Sequence, residues 1–203
     1  MNATTVASPV NHPVSIPRMS GLKIVFSWIG VSLLAFPLGG YLGWGVGGHV
    51  DGIGPALIGG ALTGVAVGFA QWLLLRRDLG VGSWWIPATG IALAAGLSVG
   101  AAVVGYETDV GSLATMGAIS GAAVGVAQGL LLRDKFTLWA AWMVAMPLMW
   151  AISWAITTAI GIDVANQFTV FGASGSIVFG ILAGALMMVG KRTQTQSDQA
   201  SPM

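Results

Sequence analysis

Residues 60–78 of the 203-residue chain read GALTGVAVGFAQWLLLRRD, and 57 positions later residues 117–134 read GAISGAAVGVAQGLLLRD. Each copy carries glycines at a spacing of four, then a glutamine, an apolar run and a terminal basic residue or pair. Because residues four apart lie on the same side of an α-helix, the glycines form a smooth groove along one face. Such a groove is typical of membrane helices that pack closely together. The stretch therefore predicts a repeated, tightly packed membrane helix.

The composition of the whole chain indicates a lipid environment. Hydrophobic residues make up 55% of the chain, charged residues 7%, and the mean hydropathy is +0.83, whereas about 25% of residues are charged in soluble domains. Six apolar runs reach the roughly 20 residues that a spanning helix needs. They cover residues 24–46, 54–75, 84–106, 110–132, 136–161 and 169–190. We predict an all-α, polytopic membrane domain of six transmembrane helices over 23–190, with disordered cytoplasmic tails over 1–22 and 191–203.

The placement of charge predicts the orientation of this domain. All basic residues precede the first run or follow an even-numbered run: Arg18, Lys23, Arg76, Arg77, Arg133, Lys135, Lys191 and Arg192. The opposite loops carry only acids, namely Asp51, Glu107, Asp109 and Asp163. Since loops rich in Lys and Arg stay in the cytoplasm, we expect a plasma-membrane protein with both termini cytoplasmic. The net charge of +1 gives no basic surface for nucleic acid.

An internal repeat of about 57 residues groups the helices into three two-helix units. Trp28, Trp85 and Trp142 follow this spacing, and the third unit matches after two additional residues, with Met187 in the place of the glutamine. Two helices return the chain to the same side of the membrane, so the three repeats are parallel and related by an axis along the membrane normal. A pseudo-threefold ring and a row of hairpins both satisfy this pattern.

Three groups of residues are candidate sites. The first is a set of glycines expected to line helix contacts, either inside the chain or against a second copy or another membrane subunit: Gly39, Gly43, Gly60, Gly64, Gly68, Gly96, Gly100, Gly117, Gly121, Gly125, Gly180 and Gly184. The second is Gln71 and Gln128, interpreted either as partners in an interhelical hydrogen bond or as a polar constriction on a solute path. The third is Trp150 and Trp154, which lie too deep for the membrane interface that tryptophan usually marks. They fill a glycine groove, form a wall against a flat apolar ligand such as a quinone, carotenoid or lipid tail, or face lipid.

Several classes of function have little support in the sequence. The middle of each apolar run lacks charged residues and histidine, which argues against transport coupled to a buried carboxylate. No catalytic motif is present, and the absence of cysteine removes thiolate sites. His49, next to Asp51, is interpreted as a solvated interfacial residue rather than a ligand of a metal. We therefore expect no enzyme activity, no metal and no cofactor.

The glutamine helices resemble a string found in poorly characterised multi-pass membrane proteins of bacteria. The resemblance covers G-x3-G-x3-G-x2-Q-W-L-L-L-R-R at residues 60–77 and its echo at 117–133, and it implies a bacterial membrane but no activity. Two functions follow as hypotheses. The first is a structural or interaction subunit that packs in the bilayer through glycine-lined faces. The alternative is a channel or facilitator for a small neutral or apolar solute along the pseudo-threefold axis.

Overall fold

The computed structural model describes residues 21–164 and 168–200, and the side chains of all of these except 168 and 192–200. It contains six α-helices, each with a stretch long and apolar enough to cross a membrane. They are α1 (Gly21–Gly47), α2 (Ile53–Asp78), α3 (Trp85–Val103), α4 (Val110–Leu132), α5 (Trp139–Ala159) and α6 (Phe168–Ala200). The predicted all-α, six-helix architecture is confirmed.

Only part of each predicted tail belongs to the described residues. Residues 1–20, which include Arg18, and residues 201–203 lie outside the described part of the chain, and the side chain of Arg192 is not described. The segment from Lys191 to Ala200 continues helix α6 beyond the apolar run. The six helices lie between Gly21 and Ala200, and the bounds predicted for the membrane domain, 23–190, and for the two tails stay predictions.

The helices form a closed ring rather than a row. Each helix packs against the one before and the one after it in sequence, and α6 packs against α1. Within the described residues, backbones of helices that are not ring neighbours make no close contact. Side chains do meet across the centre: the rings of Trp28 on α1 and Trp142 on α5 have centroids 5.5 Å apart. The three hairpins therefore surround a common axis.

The two ends of the ring carry opposite charge. We call the end with Lys23, Arg76, Arg133 and Lys191 the basic end, and the end with the α1–α2, α3–α4 and α5–α6 loops the acidic end. At the acidic end Asp109 caps α4, accepting hydrogen bonds from the backbone N–H groups of Gly111 and Ser112. The hydrogen bond from the Ser112 hydroxyl is the main cause that lowers the pKa of the Asp109 carboxyl.

Glycine–backbone contact closes the three interfaces between successive repeats. A methyl group added at Gly60 on α2 would lie 2.7 Å from the Ala94 Cα on α3, and one at Gly121 on α4 would lie 2.6 Å from the Met146 carbonyl oxygen on α5. At the interface that closes the ring, a methyl group on Gly180 of α6 would lie 2.7 Å from a Cα of α1. No side chain fits at these places, so the helix backbones touch directly.

Glycine–backbone contact also joins the two helices of the first repeat and those of the second, but not those of the third. Added methyl groups at Gly39 and Gly43 on α1, or at Gly96 and Gly100 on α3, would meet Cα atoms of the following helix at 2.8–3.1 Å. In the third repeat the register places Ser153 and Thr157 at these positions. Accordingly α5 and α6 make the least extensive contact of the six neighbouring pairs. We call this contact the α5–α6 seam.

The close approach at Gly60 predicts a sharp contrast between two glycine substitutions. Gly60→Ala is expected to lower the free energy of unfolding by about 1–3 kcal/mol, the usual range for overpacking, because Ala94 backbone atoms occupy the space. Gly30→Ala, where an added methyl group would meet nothing within 4 Å, is the matched control and should leave stability unchanged or slightly raised. Thermal unfolding in mild detergent measures both variants, and equal melting temperatures would contradict the account.

Candidate ligand-binding cavity

The repeat stacks equivalent side chains in layers along the ring axis. One layer near the basic end combines the three equivalent tryptophans with the two glutamines and the methionine that replaces the third, all 2% exposed or less: Trp28, Trp85, Trp142, Gln71, Gln128 and Met187. We call this set the closure layer. Its indole rings and amides fill the centre of the ring, so the helix bundle is packed solid at this depth.

A hydrogen-bond network joins the polar members of the closure layer. The Gln128 amide nitrogen donates to the Gln71 side-chain oxygen at 2.8 Å and to the Thr89 hydroxyl at 3.0 Å. Two equivalent indoles complete it: Trp85 Nε1 lies 3.3 Å from Gln71 Oε1, and Trp142 Nε1 lies 3.2 Å from Gln128 Oε1. The structure thus brings both glutamines together at the ring centre, where each amide meets the tryptophan of the next helix.

A salt bridge spans the ring beyond the closure layer. The Lys191 ammonium on α6 contacts the Asp78 carboxylate on α2 at 2.5 Å, and both side chains are about four-fifths buried. Phe136 packs against Gly190 on the same side, where it is 2% exposed. The basic end is therefore covered by a charged pair and an aromatic ring as well as by the closure layer.

A central cavity of about 310 Å³ occupies the acidic half of the ring. It lies at the lower limit of the roughly 300–1,000 Å³ typical of ligand pockets. Its aromatic lining comes from three helices, α1, α5 and α6, and from the α3–α4 loop: Phe36, Trp44, Tyr106, Trp150, Trp154, Phe171 and Phe179. Of the hydroxyl side chains on the helices, Thr63, Ser153 and Ser176 line it. The interior is mainly aromatic and aliphatic.

The cavity exists because the repeats differ in side-chain size at one depth. Gly40, Leu97 and Trp154 occupy equivalent positions on the odd helices, and Gly59, Met116 and Gly175 do so on the even helices. Glycine at three of these six positions leaves space that a threefold set of large side chains would fill. The α5–α6 seam adds to this space, since a methyl group on Gly175 would come no closer than 3.4 Å to α5.

Both tryptophans singled out by the sequence line this cavity. Trp150 is 3% exposed, and the backbone of its turn lies against Gly117 and Gly121 of α4. Its indole packs against Phe36, with centroids 5.5 Å apart, and 5.9 Å from Trp154. The Trp150 N–H has no hydrogen-bond partner among the described residues. Trp150 therefore combines contact with a glycine groove and exposure to the cavity, whereas Trp154 lines the cavity.

Other lining residues are not apparent from sequence composition alone. Phe36 and Phe179 belong to runs of ordinary apolar residues, but the repeat register offered a signal for Phe36 because it shares its position with Leu93 and Trp150. Phe171 and Phe179 are on α6, which ring closure brings beside α1. Sequence reasoning missed these three phenylalanines as site residues.

The acidic end forms the mouth of the cavity. His49, Asp51, Tyr106 and Thr108 line it, and the His49 ring packs edge-on against Trp44 with centroids 6.2 Å apart. Among the described residues, no group of three or more His, Cys, Asp or Glu side chains is placed to hold a metal ion. The mouth thus presents one carboxylate and one imidazole rather than a metal site.

The closure-layer network predicts coupling between its two amides. Gln71→Leu or Gln128→Leu alone leaves a buried amide and an indole with fewer partners, whereas the double variant removes both amides together. The double variant should therefore be less destabilised than the sum of the singles, by about 0.6–2 kcal/mol for hydrogen bonds between membrane helices. Unfolding in mild detergent measures this cycle, with Met187→Leu as a control. Strict additivity would show that the amides act independently.

The fold and composition establish a multi-pass membrane protein with six candidate spans. Comparisons of the chain with protein-family models, curated proteins and solved structures returned no significant match. The cavity and the closure layer are therefore the features that bear on function.

Proposed function

We propose that this chain is a non-enzymatic membrane protein that binds a small, largely apolar molecule in its central cavity. The observation that carries the proposal is the cavity itself, which lies on the ring axis, opens at the acidic end and is lined by seven aromatic side chains. Burying an apolar molecule against aromatic surface is favourable by about 25 cal/mol per Å² of area removed from contact with water. The lining supplies such a surface together with a few hydroxyl groups for orientation.

The position of the glycines weakens the competing hypothesis of a structural or interaction subunit. All twelve candidate glycines approach another helix of the same chain, with added methyl groups falling within about 3 Å of it. None of them is left to form a smooth outward face for a partner. The hypothesis of docking through glycine-lined faces therefore loses the feature on which it was based.

The channel hypothesis is also less well supported than ligand binding. The cavity ends at Phe36, Trp150 and Phe179, and the closure layer fills the ring between these residues and the basic end. A cavity closed at one end thus fits retention of a ligand better than passive conduction of a solute.

The charge asymmetry gives the orientation that we propose. Lys and Arg near helix ends remain cytoplasmic, which would place the basic end in the cytoplasm and open the cavity to the outer side. The resemblance of the two glutamine helices to bacterial membrane proteins supports a bacterial plasma membrane. On this arrangement the ligand would enter from the outer aqueous phase or the outer leaflet.

A substitution that fills the cavity tests the proposal. Gly59 lines the cavity, an added methyl group there meets nothing within 4 Å, and its equivalent in the second repeat is Met116. Gly59→Met should therefore fold normally and reduce binding by about tenfold or more. The measurement is quenching of tryptophan fluorescence by a terminally brominated octanol, with the protein in phosphatidylcholine liposomes.

A matched variant controls for the change of residue type. Gly54→Met places the same side chain at an exposed position of α2 where nothing lies within 4 Å and which does not line the cavity. It should bind the probe as the unsubstituted protein does. If Gly59→Met and Gly54→Met show the same quenching as the unsubstituted protein, the bromine atoms report only on bilayer-exposed tryptophans, and the proposed cavity function is wrong.

A further inference from the structure

We infer that the cavity selects a lipophilic cation, a molecule with an apolar body and a single positive charge. The inference rests on the proposed binding function and adds the charge of the ligand to it. It follows from two independent features, the aromatic lining of the interior and the electrostatic character of the mouth.

The interior of the cavity is unusually rich in aromatic rings that contact one another. Phe36 packs edge-on against Trp150 and Phe179, in each case with centroids 5.5 Å apart. Trp154 contacts both Trp150 and Phe171, with centroid separations of 5.9 and 5.8 Å. The faces of aromatic rings attract cations, most strongly where water is excluded. A cluster of this kind can stabilise a positive charge without a buried carboxylate.

The mouth of the cavity has the opposite sign to the proposed ligand. Asp51 lines it and forms no salt bridge within the described part of the chain. Glu107, Asp109 and Asp163 lie in the loops of the same end. The loop segments 48–52, 104–109 and 160–167 contain no Lys or Arg in the sequence. Charge of a single sign around a cleft concentrates ligands of opposite charge there.

The same residues disfavour an anionic ligand such as a fatty acid or a phosphate-bearing lipid. The lining contains no lysine or arginine to pair with a carboxylate or phosphate, and the basic side chains among the described residues, from Lys23 to Lys191, belong to the other end of the ring. A neutral amphiphile would fill the apolar interior but would gain nothing from Asp51. The cavity should therefore rank cationic above neutral and neutral above anionic ligands of equal size.

Three probes of equal chain length test this ranking. Each is a terminally brominated octyl chain that ends in trimethylammonium, alcohol or carboxylate, and binding is measured by tryptophan quenching in phosphatidylcholine liposomes. The Gly59→Met variant supplies the baseline for probe dissolved in the bilayer. We expect the ammonium probe to bind about tenfold more tightly than the alcohol and the carboxylate to bind most weakly.

Substitution of the mouth carboxylate separates its contribution from that of the aromatic rings. Asp51→Asn should weaken binding of the ammonium probe by about two- to fivefold, as for an exposed ion pair, and leave the alcohol unaffected. Asp134→Asn, an exposed acid at the basic end, is the matched control and should change neither. The fold is not at risk in either variant because both side chains are exposed.

The possible outcomes distinguish this inference from the proposed function. Equal binding of alcohol and ammonium, or tighter binding of the carboxylate, would overturn the selection of cations. An ammonium affinity insensitive to Asp51→Asn would overturn the contribution of the mouth to that selection. In each of those cases the cavity still binds a ligand. If all three probes quench the unsubstituted protein no more than they quench Gly59→Met, both the proposed binding function and the inference are wrong.

Discussion

Direct contact between glycine backbones is the constraint on which the ring depends. In lipid, no hydrophobic force distinguishes one apolar surface from another, so helices associate through close packing and hydrogen bonds. Five of the six interfaces contain a glycine at which an added methyl group would lie within 3 Å of the neighbouring helix. No side chain fits between backbones that touch. These contacts therefore fix the order and spacing of the helices around the axis.

The sixth interface, the α5–α6 seam, lacks such a glycine contact, and the cavity lies beside it. Ser153 and Thr157 stand where the other repeats have glycine, and Ser174 on α6 donates to the Thr157 hydroxyl at 3.2 Å. A hydrogen bond between side chains holds helices farther apart than contact between backbones. The third repeat also differs from the other two in the closure layer, where Met187 takes the place of a third glutamine. Divergence of one repeat thus accounts for both the open acidic half and the asymmetry of the polar network.

The sequence allowed prediction of the features that repeat and missed those that depend on closure. The length of six apolar runs predicted the six helices, and the glycine spacing and tryptophan register predicted their grouping into repeats, because each signal is local and occurs more than once. The choice between ring and row depends on contact between α6 and α1, which residues far apart in sequence make. That contact brings Phe179 on α6 against Phe36 on α1, whereas Trp150 and Trp154 stood out by their depth in the membrane.

The most direct measurement of the central claim is the reactivity of one cysteine in the cavity. The chain has no native cysteine, and Ser176, which is buried and lines the cavity, can be replaced by cysteine conservatively. Its rate of modification by a small methanethiosulfonate reagent is compared with the rate in a Ser153→Gly/Thr157→Gly background. The account predicts slower modification in the glycine background, because α5 and α6 would close to backbone contact. An unchanged or faster rate would contradict it.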